Sequence, residues 1–331
     1  MLIHPFSLHL RTRPKSYLNT KINRSMQRRK ALQFTASLPL LAAGAAASAT
    51  TVAAATPLPS AEKYNLAFAP HGGMFKSHAG DNILDQIQWA ADQGFTAWED
   101  NGMPNRTPEM QAKIGDLLAK NNMTMGVFVA NKINWREPTL TNGAGEHRDA
   151  FLQDIRNSVE VAKRCNAKWM TVVPGFVQMR LEPMYQFANV METLKQGAGI
   201  LEEHGLIIVL EPLNYQNHPG LFLTKAAQAY ALCKGVDSPS CKILFDIYHQ
   251  QIQEGNLIPN IDAAWDEIAY YQIGDNPGRK EPTTGEINYG NVLSHIHSKG
   301  FTGVYGMEHG NSVDGKEGEL KVIEAYRSVD V

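Results

Sequence analysis

From Asn65 onward the chain repeats one unit: a short apolar run rich in β-branched or aromatic residues, then a longer stretch with helical spacing. The apolar runs fall at Asn65–Ala69, Phe95–Glu99, Thr124–Ala130, Lys168–Pro174, Leu206–Glu211, Lys242–Asp246, Ile268–Gly274 and Gly303–Glu308. Helical segments follow at Asn82–Gln93, Pro108–Asn121, His147–Cys165, Pro183–His204, Thr224–Lys234, Tyr289–Lys299 and Glu317–Tyr326. The sixth unit is the weakest, because Leu257–Trp265 is short and carries Pro259. Eight strands, each followed by a helix, is the count that closes a parallel sheet on itself. The sequence therefore predicts an α/β fold, a single (β/α)8 TIM barrel over residues 61–331. The main rival is an open doubly wound sheet, which usually carries a GxGxxG turn after its first strand. Here that turn reads Ala69-Pro70-His71-Gly72-Gly73-Met74.

In a barrel, the carboxyl ends of the strands face the active site. The fifth run ends in Glu211-Pro212-Leu213-Asn214, and the sixth in Asp246-Ile247-Tyr248-His249-Gln250. The seventh ends in Gln272-Ile273-Gly274-Asp275 and the eighth in Glu308-His309. A carboxylate buried after an apolar run is costly unless it is paired or metal-bound. Glu211, Asp246 and Glu308 at one barrel mouth would repel each other, and a divalent cation removes that repulsion. Oxygen ligands in a six-coordinate shell suit Mg²⁺ or Mn²⁺. Gln272 gains weight from its place between Asp246 and Glu308. His249 reads as functional, and His71 is a further candidate. Glu99 also ends an apolar run, but a single such Glu reads as a solvated loop residue. The long loop from Gly274 to Tyr289 carries Arg279, whose guanidinium could grip a carboxylate or phosphate.

Charge is distributed unevenly. Eight of the 31 Lys and Arg, and none of the 33 Asp and Glu, lie in the first 61 residues, which leaves a net of −10 on the rest. An acidic body repels phosphate backbones, so nucleic acid is not an expected partner. Residues 1–60 read as an export segment and linker: Arg28-Arg29, an apolar stretch from Phe34 to Ala49, and a small-x-small pattern at Ala47-Ser48-Ala49. This resembles a twin-arginine signal. It implies a periplasmic protein that transiently contacts the export machinery; an uncleaved signal acting as a membrane anchor is the alternative. Met26, just before the arginine pair, is a candidate start. Cys233 and Cys241 bracket a turn-like segment and could pair in an oxidising compartment.

The blocks Glu211-Pro212-Leu213-Asn214, Asp246-Ile247-Tyr248-His249-Gln250, and Gln272-Ile273-Gly274-Asp275-Asn276-Pro277-Gly278-Arg279 running to Gly285-Glu286-Ile287-Asn288-Tyr289 resemble the hydroxypyruvate isomerase family. That family belongs to the xylose isomerase-like TIM barrels, with the ketose 3-epimerases as relatives. The resemblance implies that Glu211, Asp246, Gln272 and Glu308 hold a metal, with Glu211 and Glu308 as the acid/base pair. It implies that His249 and Arg279 contact substrate. Lys132 is a weaker candidate for neutralising a substrate carboxylate. The loop from Ala130 to Glu146, with Asn131-Lys132-Ile133-Asn134-Trp135, departs from the family pattern.

The expected activity is an aldose–ketose type isomerisation of a small hydroxy keto acid such as hydroxypyruvate, passing through an enediolate. The expected partner is that small molecule or a sugar, and the expected assembly is a homo-oligomer. A ketose 3-epimerase is the nearest alternative. A metal-dependent endonuclease and a non-catalytic sugar-binding protein stand further off.

Overall fold

The computed structural model describes residues 61–331. The expected export signal lies outside the described residues. Eight strands follow in order: β1 (Ala67–Ala69), β2 (Ala97–Trp98), β3 (Thr124–Met125), β4 (Trp169–Val172), β5 (Ile207–Leu210), β6 (Cys241–Asp246), β7 (Ile268–Ile273) and β8 (Val304–Met307). All pairings between them are parallel. Six strands pair in the order β1-β8-β7-β6-β5-β4, and β2 pairs with β3. Two bridges join these sheets into a ring, His71 with Glu99 and Val129 with Thr171. The backbone bonds Glu99 N–H to Pro70 O and Ala130 N–H to Thr171 O, both 2.9 Å, lie at those joints. The predicted TIM barrel is the fold observed.

Inside the ring, Ala69, Ala97, Val127, Val209, Leu244, Tyr270 and Val304 form one apolar cluster. A larger cluster fills the space between strands and helices. Strand side chains alternate between the two faces. The residue two places beyond each interior residue therefore faces the same interior, one layer nearer the carboxyl ends. Val209 leads to Glu211, Leu244 to Asp246, Tyr270 to Gln272, and Ala97 to Glu99. Val304 leads to Gly306 and, one pleat further, to Glu308. The pleat thus delivers a polar layer directly above an apolar floor.

The expected third strand, Thr124–Ala130, pairs regularly only at Thr124–Met125. Just beyond that pairing, Tyr270 crosses the interior: a Cβ on Gly126 would lie 2.4 Å from its Oη. Helix starts follow local chemistry. Asn82 accepts from Leu84 N–H at 3.0 Å to cap Ile83–Asp92. Thr107 and Glu182 cap Pro108–Lys120 and Pro183–Glu202, each with Pro at its start, where no intrahelical N–H is needed. The sixth unit holds two short helices, Ile247–Gln253 and Leu257–Ala264. Pro259 lies in the first turn of the second, where the helix tolerates it.

Among the described residues, no helix is long and apolar enough to cross a membrane. Cys233 and Cys241, expected as a possible pair, are both buried free thiols.

Candidate active site

The helix Ile247–Gln253 begins directly at the end of β6, with Asp246 as its N-cap. Asp246 Oδ1 accepts from the N–H groups of Tyr248 (2.8 Å) and His249 (3.4 Å). One carboxylate oxygen is thus committed to the backbone, and Oδ2 faces the barrel mouth. The same cap turns His249 back over the strand ends. Ligand atoms of Glu211, Asp246 and His249 all lie within 4.8 Å of one another, and all three residues are buried. His249 Nε2 stands 3.6 Å from Asp246 Oδ2 and 3.9 Å from Glu211 Oε1.

The proton on His249 can be placed from its neighbours. Asn217 N–H donates to Asn214 Oδ1 at 2.9 Å, so the Asn214 amide presents Nδ2 to the ring. His249 Nδ1 accepts from that Nδ2 at 2.7 Å and from Asn214 N–H at 3.3 Å. Burial holds the imidazole neutral, with a pKa lowered to about 4. A neutral ring that accepts at Nδ1 carries its proton on Nε2. Nε2 is buried without a partner, so it is a donor aimed between two carboxylates.

Gln272 sits beside Asp246, its register partner on the neighbouring strand. Its Oε1 is likewise buried without a partner. Glu308 is half-buried and lies outside the Glu211–Asp246–His249 group. Arg279 connects it to the rest: Nη2 donates to Glu308 Oε2 at 2.8 Å and to Asp246 Oδ2 at 2.9 Å. Arg279 Nε donates to the Glu308 carbonyl at 2.9 Å. The guanidinium also lies 4.9 Å from the Tyr248 ring centroid.

Of the other candidates, His71 donates from Nε2 to the His309 carbonyl at 3.1 Å. It lines a cleft of about 560 Å³ together with Glu308, Glu99, Asn101 and Arg106. Lys132 is exposed and lines a different cleft of about 910 Å³ beside the helix Glu146–Cys165. The loop that carries it reaches the site through rings instead. Trp135 stacks on His218 at 5.2 Å, and His218 lies 5.4 Å from His249.

Glu99 overturns its sequence expectation. It is only 1% exposed, not a solvated loop residue. Its Oε2 accepts from Tyr270 O–H at 2.8 Å, and its Oε1 accepts from Gln272 Nε2 at 2.9 Å. The available signal was its position two residues beyond the interior Ala97, the same spacing that places Glu211 and Asp246.

Crowding shows in the electrostatics. Burial first, then Glu308 and Asp246, push Glu211 well above the usual carboxylate range. Burial also raises Glu308, against the pull of Arg279. Burial and Glu308 raise Glu99 to about 8. Groups raised in this way bind protons in the folded chain that the unfolded chain has released, so stability falls as pH rises through the gap. The buried histidines act oppositely: His249 at about 4 and His309 at about 3 lose stability only as pH drops below their unfolded value of 6.5. Between 6.5 and about 8 the histidine contribution levels off while the carboxyl contribution keeps falling. Thermal melts in chelator are therefore expected to show a falling Tm across that window, with Mn²⁺ reversing the fall. A Tm that is flat or rises in chelator would contradict these shifts.

Residues 87–328 match the model of the xylose isomerase-like TIM barrel family. Hydroxypyruvate isomerase of Escherichia coli K12 is 30% identical over 212 residues, which is 61% of this chain and 82% of that protein. The 2-oxo-tetronate isomerase of Cupriavidus necator is 29% identical over 238 residues, 71% of this chain and 89% of its own length. Among solved structures, an AP endonuclease, family 2, from Brucella melitensis aligns with TM-score 0.67 at 24% identity, over 76% of this chain and 95% of that one. The 3-keto-D-glucoside 4-epimerase of E. coli aligns with TM-score 0.67 at 16% identity, over 80% and 98%. At those identities the structural likeness speaks for the fold alone. The sequence relatives speak for isomerase chemistry, and the chain belongs to the xylose isomerase-like TIM barrel family and, within it, to the hydroxypyruvate isomerase family.

Proposed function

We propose that the chain is a divalent-metal-dependent isomerase that exchanges the carbonyl and the adjacent hydroxyl of a small hydroxy keto acid such as hydroxypyruvate. One observation carries this reading. The polar layer above β5 to β8 offers carboxylates from Glu211, Asp246 and Glu308, and its neutral member, Gln272, keeps a buried carbonyl oxygen without a partner. An all-oxygen set of this kind fits Mg²⁺ or Mn²⁺. Glu211, Asp246, Gln272 and Glu308 would hold the ion. When bound, it supplies Lewis acidity to the substrate carbonyl.

Proton movement belongs to the side chains. One of Glu211 and Glu308 takes the proton from the carbon that bears the hydroxyl. The released electron pair forms the carbon–carbon double bond of an enediolate. The same proton equivalent returns to the former carbonyl carbon, and the hydroxyl proton passes between the two oxygens. Atoms and electrons balance without a redox partner. A carboxylate whose pKa is raised by burial is a stronger base than one in water, which suits this role. His249 Nε2–H donates toward the substrate oxygen that gains negative charge. Arg279 uses Nε and Nη2 on protein groups, and its Nη1, which makes none of those bonds, would be the arm left to meet the substrate carboxylate.

A four-carbon 2-oxo acid is the second reading. It is favoured by the cleft of about 560 Å³ beside Glu308, which leaves room beyond a three-carbon substrate. The test is product analysis by NMR, using the full chain with Mn²⁺ or Mg²⁺ on hydroxypyruvate, 2-oxo-tetronate and free ketoses. The expected outcome is isomerisation of a keto acid that stops with chelator and resumes with metal. Turnover of ketoses alone, or turnover indifferent to chelator, would overturn the reading.

A further inference from the structure

The polar layer contains one carboxyl outside the ligand set. Glu99 comes from β2, on the far side of the ring, and reaches Gln272 on β7. Room for it is built into the barrel. A Cβ on Gly306 of β8 would lie closer than any contact distance to Glu99 Oε2 and 3.0 Å from Gln272 Cγ. The second carboxyl oxygen is held by Tyr270, whose own space comes from Gly126. Two glycines, a tyrosine and a carboxyl therefore converge on one amide.

An amide has two ends of almost equal size and opposite character. Its oxygen can ligate a cation, and its NH₂ group repels one. We infer that Glu99 is a positioning residue: by accepting from Gln272 Nε2 at 2.9 Å, it fixes the amide so that Oε1 is the end presented to the metal. The unpartnered Oε1 is the observation that points to a ligand. This inference rests on the reading of Gln272 as a metal ligand. Partners of this sort are worth roughly 10–100-fold in metal affinity.

The test is calorimetric titration of the full chain with Mn²⁺ alone, with thermal melts as the folding control. Glu99→Met removes the acceptor and should raise Kd roughly 10–100-fold. Glu99→Asp withdraws the acceptor by one methylene but keeps an ionisable carboxyl, and should weaken binding as well. Glu99→Gln retains a carbonyl oxygen for Gln272 and should bind within a few-fold of the parent. That ordering is the reverse of what a role for the charge itself would produce. Adding Gln272→Glu to Glu99→Met should recover affinity, because a carboxylate presents oxygen whichever way it turns.

Gln272→Ala separates the two levels of the argument. If Gln272→Ala binds Mn²⁺ like the parent, the ligand reading fails and takes this inference with it. If Gln272→Ala weakens binding and Glu99→Met or Glu99→Asp does not, this inference alone is overturned. Should Glu99→Met fail to fold, the Asp and Gln variants decide by their order, and a Gln variant as weak as the Asp variant overturns the proposal.

Discussion

Glu308→Gln is expected to lower kcat/KM by about 10²–10⁴-fold with the fold intact, because it removes a proton-transferring carboxylate and leaves an isostere. The variant is informative because of where Glu308 sits. Its side chain is partly buried at the mouth and anchored by Arg279, so Gln can occupy the same space and still accept from Nη2. Exchange of the substrate's C–H with deuterium from solvent should fall together with turnover, since both need the same carboxylate. Glu211→Gln should show a comparable loss of rate, and both variants should also weaken Mn²⁺ binding, because both residues belong to the proposed ligand set; the loss of affinity should be larger for Glu211, which lies within the buried group with Asp246 and His249. Near-parental turnover in Glu308→Gln, at an unchanged Tm, would remove Glu308 from the acid/base pair.

Asp246 carries the second large effect, and two substitutions divide its work. Its Oδ1 caps a helix and its Oδ2 serves the site. Asp246→Asn keeps a side-chain oxygen that caps about as well as Asp, so stability should hold, while the lost charge should weaken Mn²⁺ binding by about 100-fold or more, beyond the effect of an outer partner. Asp246→Ala should show the same loss of metal and, in addition, about 0.5–2 kcal/mol lower stability from the missing cap. Urea melts in chelator read the cap, and Mn²⁺ titration reads the site. If Asp246→Asn bound metal like the parent, the proposed ligand set would lose its central member.

Arg279 links these two residues. It rests in left-handed backbone, φ 51°, directly after Gly278 at φ 102°. That geometry bends the loop after β7 back over the strand ends. Burial works against its charge, but Glu308, Asp246 and Glu211 outweigh this and hold the guanidinium protonated. The long loop flagged in the sequence thus contributes a fixed cation at the mouth.

The barrel and most of its polar layer were readable from the chain because both rest on local rules. Period-two alternation and an apolar run ending in Glu, Asp or Gln are short-range patterns, and they placed Glu211, Asp246, Gln272 and Glu308 at strand ends. The tertiary structure alone decided what those patterns could not contain. The bond from Gln272 to Glu99 spans 173 residues, the Asn214 contacts that set the His249 proton span 35, and the Arg279 tie to Glu308 spans 29. A terminal Glu on an apolar run looks the same in sequence whether it ends in solvent or crosses a barrel. Glu99 has room in the interior because Gly306, two strands away across the ring, lacks a side chain, and burial, amide orientation and tautomer are all set by such distant neighbours.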